Sequence, residues 1–267
     1  MHFNSDKFEC IQYWPGSNIP QYAYKSPEGD EIEEKVHIKD LGIQLSDNLN
    51  FQFHIQKIVT SASKLVGWAL RTFHRRSRGT MITIWKCLIQ PKIDYCSQLW
   101  SPNDQGSIKD LETIQRNFTS RINGMVDKDY WERLKELKLY SQERRRERYA
   151  VIFLWKISQG LVAGYNIPFT NNGRRGRLAT PKIVNLHAPA SVRRAMEASL
   201  SVKGANIFNL LPQYIRNLNA SNQAEVGMFK AKLDKFLEGV PDQPTIPGRQ
   251  RAAETNSLIH QIPLLLN

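Results

Sequence analysis

An α+β chain that is predominantly α is the fold class this sequence predicts, and three observations predict it. Up to about residue 50, short aromatic and β-branched runs alternate with turn signals. From Phe51 onward, apolar residues recur at three- and four-residue steps instead. With 267 residues, 41% of them hydrophobic and 10% aromatic, the chain has enough apolar surface to bury real cores.

The head, residues 1–50, reads as a small antiparallel region. FECIQY, QYAYKS and VHIKDLGIQL have the composition of strands, and WPGSN and SPEGDE between them have that of turns. The first helix then covers Phe51 to Arg76, with an apolar stripe of Ile55, Ile58, Val59, Ala62, Leu65, Val66, Ala69 and Phe73. Asn50 or Asp47 can cap its start. A second helix is predicted from Ser77–Thr80 to Leu99, bent at Pro91, whose ring removes one backbone donor. A third runs from Gln105 to Ile122 with Ile108, Leu111, Ile114, Phe118 and Ile122 on its core side. Short loops join the three, so residues 51–125 read as a compact bundle.

Residues 126–267 read as a looser helical region. A short helix lies at Tyr130 to Leu137. Another follows Ser141 as its cap, arginine on all sides in its first half and apolar on all sides in its second, a pattern that predicts a start at the surface and an end in a core. VRRAMEASL and EVGMFKAKLDKFL read as helices, TNNGRRGRLATP as a flexible basic loop, and PDQPTIPGRQR as a loop that tails off. Arg174, Arg175 and Arg177 of the basic loop are read as solvated.

Several function classes are excluded by what is absent. The longest apolar run is AVIFLW, far short of the roughly 20 residues needed to cross a bilayer, and MHFNSDKFEC has no signal-peptide core, so a soluble intracellular protein is expected. Three cysteines without a CxxC indicate neither a disulfide framework nor a zinc ribbon, and each is expected to be a small buried hydrophobe. There is no GxxxxGK loop, HExxH, GxSxG or pair of adjacent aspartates. The sequence therefore offers no candidate catalytic residue and no metal ligand set. In LIQPKIDYCSQLWSP, the lone Asp94 is expected to pair with a cation such as Lys92, and the stretch to be structural.

Charge carries the one positive signal. Residues 1–50 hold four Lys and Arg against nine Asp and Glu, a net −5, so with +12 overall the remaining residues carry +17. Between Asp47 and Asp94 there is no acid and there are eight Lys and Arg. At about 100° per residue, Lys57, Lys64, Arg71 and Arg75 fall in one narrow sector of the first helix, opposite its apolar stripe and roughly 27 Å long. Arg76 and Arg78 extend the basic run. A solvated face usually mixes signs; one without acids suits contact with phosphates more than reading of bases.

The order of segments also carries a resemblance. FNSDKFECIQYW, KDLGIQLSDNLNFQFHI, the apolar-basic helix, LIQPKIDYCSQLWSP, LETIQRNFTSRI, RLKELKLYSQERRRERYAVIFLWKISQG, LSVKGANIFNLLP and FKAKLDKFL together resemble the C-terminal third of reverse transcriptases from jockey-like non-long-terminal-repeat retrotransposons. The family commonly has Trp-Asn before its Leu-Pro, where this chain has Phe208, Asn209, Leu210, Leu211 and Pro212. The resemblance implies that residues 1–50 are the last strands of a polymerase palm. Leu41, Gly42 and Ile43 then stand at the turn that holds the primer end, and residues 51–125 form the thumb. It implies RNA and DNA as partners, as a template-primer duplex, and a nuclear location. The catalytic aspartates would lie upstream of Met1, so no cofactor is expected in this chain and Mg²⁺ only with the missing palm. Two other readings stand beside it: a non-catalytic nucleic-acid-binding protein from a truncated element, and a helical interaction module for an acidic protein.

Overall fold

The computed structural model describes residues 7–13, 23–168, 176–180, 190–251 and 253–266. As the change of period predicts, a small antiparallel sheet precedes a long succession of helices. The sheet is smaller than the sequence suggests. It consists of β1 (His37–Asp40) and β2 (Ile43–Ser46), in the register His37 to Ser46 and Asp40 to Ile43. The described parts of FECIQY and QYAYKS form only isolated bridges, Cys10 to Glu34 and Lys25 to Glu31, because neither run alternates strictly enough to present one apolar face. The WPGSN turn lies outside the described residues.

The turn between the strands has two residues, Leu41 at φ 44° and Gly42 at φ 88°. Two positive φ values match the right-handed twist of the strands. Glycine takes this geometry freely; leucine does so at a cost of about 1–2 kcal/mol.

Helix α1 (Gln52–Thr72) follows, with Asn50 Oδ1 accepting the Gln52 N–H at 2.8 Å. It buries Ile55, Ile58, Ala62, Val66 and Ala69. It stops at Thr72, earlier than expected: Phe73 turns to an extended backbone and packs edge-on against Trp68, and Arg76 Nη2 donates to Leu70 O at 3.2 Å. A cation on the carbonyls of the last turn is a stabilising way to end a helix.

The predicted bend at Pro91 takes a different form. α2 (Arg78–Ile84), capped by Ser77, runs into a π-helical turn (Trp85–Ile89) and then α3 (Gln90–Asp94). One extra residue in the turn widens the helix where a proline ring would otherwise strike the carbonyl four residues back. Trp85 Nε1 donates to Gln90 Oε1 at 2.6 Å across the bulge. The helix breaks at Cys96, φ 50°, and α4 (Ser97–Trp100) closes the segment. Cys87 and Cys96 are exposed and Cys10 half-buried, against the expectation of buried hydrophobes; Cys87 lies on the outer side of the π turn and Cys96 at the break.

α5 (Gln105–Thr119) packs along α1, and α6 (Tyr130–Leu137) begins with a capping box between Asp129 and Glu132. These elements share a first core containing Ile43, Ala62, Met81, Trp85, Leu111, Phe118 and, beyond residue 125, Leu137. α7 (Gln142–Ser158) then carries the chain into a second core. α8 (Ala190–Ala198) leads through a π turn (Leu200–Gly204) to α9 (Ala205–Leu210), α10 (Gln213–Arg216), α11 (Gln223–Leu237) and α12 (Leu258–Leu266). Trp155 stacks on Phe229 at 3.9 Å within this core, which also holds Phe208, Leu233 and Ile262. A Cβ on Gly204 would come within 2.5 Å of Leu154, so glycine permits the close approach to α7. α12 lies beyond the point where the sequence reads as a trailing loop.

The first half of α7 does not start at the surface. Gln142, Glu143, Arg144, Arg146 and Glu147 are all buried, between the two cores. Two of them have partners from far along the chain: Arg144 donates to Val240 O at 3.1 Å and Pro241 O at 2.7 Å, and Glu147 accepts from the Ser257 hydroxyl at 2.6 Å and the Leu258 N–H at 2.7 Å at the start of α12, whereas the Arg146 guanidinium has no hydrogen-bond partner among the described residues. Asp94 pairs with Arg145 at 2.8 Å rather than with Lys92, and also accepts from Gln90 at 2.9 Å. Buried polar groups are stabilised by partners in place; the strap 240–258 supplies them for Arg144 and Glu147, and Glu112 and Gln115 of α5 supply them for Gln142.

Candidate nucleic-acid interface

α1 shows one face to the first core and the other to solvent. On the solvent side Lys57, Lys64 and Arg71 are exposed at intervals of seven residues. Seven residues make almost two full turns, so the three side chains drift by only about 20° per step and span about 21 Å. Among the described residues none of the three enters an ion pair. Lys57 Nζ lies 5.0 Å from the centre of the Phe53 ring, which stacks on His37 of β1 at 4.4 Å. A β-carbon at Gly67 would stand 3.3 Å from Arg71 Nη1, so glycine one turn earlier leaves room for the Arg71 side chain along the helix.

Three of the six basic residues of the expected site are placed differently from the sequence reading. Arg75 is exposed but lies beyond the end of α1, so helical geometry does not set its direction. Arg76, half-buried, ends the helix through Leu70 O. Arg78 pairs with Glu136 at 2.6 Å, and Glu136 also binds Lys128. The Lys128 contact foremost, with Arg78, holds the Glu136 carboxyl below its ordinary range. Arg78 is thus a partnered cation, and a carboxylate some sixty residues away in sequence gives no local signal of that. Arg174 and Arg175 lie outside the described residues, and Arg177 is half-buried.

The Leu41–Gly42–Ile43 turn sits at the hairpin tip. Leu41 is 83% exposed while Ile43, at 4%, belongs to the first core. Tyr95, next to the helix break, donates its hydroxyl to Leu41 O at 2.9 Å and fixes the tip against α3. The buried His54 behind it accepts from the Gln44 N–H at 3.2 Å and meets Trp100 edge-on; burial lowers its pKa, so it is a neutral structural histidine.

A shallow pocket of about 380 Å³ opens off the C-terminal end of α1, lined by Arg76, Ser120, Arg121, Ile122, Asn123 and Val126. Among the described residues no group of three His, Cys, Asp or Glu side chains converges as a metal site. No described helix is long and apolar enough to cross a membrane.

No family model matches the chain, and no solved structure matches it. Among curated proteins, the uncharacterized Caenorhabditis elegans protein B0403.1 is 28% identical over 85 residues. The similarity covers 32% of this chain and 43% of that protein.

Proposed function

We propose that this chain binds nucleic-acid duplex through its phosphates, using the solvent face of α1, with Lys57, Lys64 and Arg71 as the track and Arg75 beyond its end. The observation that carries the reading is three exposed cations, in no ion pair among the described residues, in one line along a rigid helix, in a stretch where no acid occurs between Asp47 and Asp94. A line of about 21 Å passes several phosphates of a duplex, and Lys and Arg without base-reading neighbours bind any sequence alike. On the resemblance to retroelement reverse transcriptases, the duplex is a template-primer hybrid of RNA and DNA in the nucleus. The chain then acts as the gripping part of a polymerase whose metal-binding carboxylates it does not itself carry.

The test uses two RNA–DNA duplexes of unrelated sequence and fluorescence anisotropy. The triple variant K64A/R71A/R75A should weaken binding of both by the same factor. All three positions are exposed, so the fold should be kept, which circular dichroism checks. Unchanged affinity, or a loss confined to one duplex, contradicts the reading.

A further inference from the structure

Arg121 belongs to no element and to no ion pair among the described residues, yet it shares the pocket off the end of α1 with a second arginine. None of the six lining residues is acidic. Asp127, the nearest acid along the chain, is not among them. Two arginines lining one open space favour an anion between them, and a guanidinium fork matches phosphate geometry better than any other side chain does.

The pocket is built in advance. The backbone N–H of Asn123 donates to Arg76 O at 3.0 Å, tying the loop after α1 to the turn after α5, and Arg121 N–H donates to Phe118 O at 3.1 Å. Arg76 is further held by its bond to Leu70 O, which uses one of its five N–H donors and leaves the rest. The Ser120 hydroxyl donates to Asn117 O at 2.9 Å, so it positions the turn, while the exposed Asn123 side chain adds a neutral donor. Its volume lies near the lower bound for a small-molecule site, roughly 300 Å³.

We propose that this pocket is a phosphate-binding site, with Arg76 and Arg121 as its two anchors and Asn123 as a supporting donor. The proposal rests on the reading of α1 as a phosphate track, which it extends past the point where that helix stops. The phosphate comes either from the backbone of a bound duplex or from a free phosphate; the recognition chemistry is the same.

The experiment compares wild type, R121Q and K64A/R71A/R75A, each as the full chain, in duplex binding at several salt concentrations. R121Q should lose roughly fivefold in affinity, as for one exposed charge pair, and the salt slope should fall by about one. If R121Q binds as wild type does while the triple variant is weakened, the pocket proposal is overturned and the α1 reading stands. If neither variant changes, both are overturned. A second arm follows the Arg76 and Arg121 Nε–H resonances by NMR during titration with inorganic phosphate and, separately, with duplex. Saturable shifts with inorganic phosphate identify a site for free phosphate, shifts with duplex alone identify a backbone contact, and no shift with either refutes the site.

Discussion

Leu41 occupies a conformation that costs an L-residue about 1–2 kcal/mol, and its side chain recovers little by packing because it is 83% exposed. Asn is favoured ahead of Gly in a two-residue turn with both φ values positive. L41N should therefore stabilise the chain by about 1 kcal/mol in urea unfolding, with the Tyr95 bond to the backbone carbonyl retained. A destabilised L41N would mean that the leucine side chain has a packing role its exposure hides. Strain at an exposed tip is the kind of outlier that contact with a partner explains. Other single residues were less legible. Lys57, Lys64 and Arg71 could be read because helical spacing alone places them, whereas Arg78 and Asp94 depend on Glu136 and Arg145, partners that no local pattern reveals.

At the level of elements, the buried half of α7 sets how stability responds to pH. Glu112 of α5 lies wholly inside, accepting from the Tyr130 hydroxyl and, at 2.8 Å, from the Gln142 N–H. Burial pushes its carboxyl up to about 7, and burial likewise raises Glu143 to about 7, with Glu147 adding to the effect. In the unfolded chain Glu112 titrates near 4.5. Below that pH both states hold the proton. Between about 4.5 and 7 only the folded state does, so this group's contribution falls as pH rises and is lost above 7, by on the order of 3 kcal/mol at most. E112Q mimics the protonated acid, so the wild type should lose more stability than E112Q when urea unfolding is compared at pH 5 and pH 8. Equal losses would show that Glu112 titrates normally. The capped helices were legible: Ser141 receives the Arg144 N–H at 3.1 Å, and the predicted helix around Tyr130–Leu137 has those bounds. The inward burial of α7's arginines was not, because it depends on carbonyls of Val240 and Pro241 nearly a hundred residues on.

For the molecule as a whole, the switch from period 2 to period 3.6 near Phe51 sufficed to read an α+β chain with its sheet in the first fifty residues. It could not reveal two cores bridged by a polar helix, since long-range pairing leaves no period. The proposed grip on nucleic acid separates binding from chemistry. Phosphoryl transfer by a polymerase requires two metal ions clamped by carboxylates converging from rigid elements, while Glu28, Asp30, Glu31, Glu33, Glu34 and Asp40 of the head are each exposed. The chain alone should leave a primer unextended with Mg²⁺ or Mn²⁺, and extension abolished by D40N would contradict this. A phosphate track shows most directly in the dependence of duplex affinity on salt. Each lost phosphate contact lowers the slope of log K against log salt by about 0.9. K64A/R71A/R75A should therefore have a slope shallower than wild type by between two and three, roughly one per lost contact; an unchanged slope in a folded variant would show that the stripe is a solvated face and nothing more.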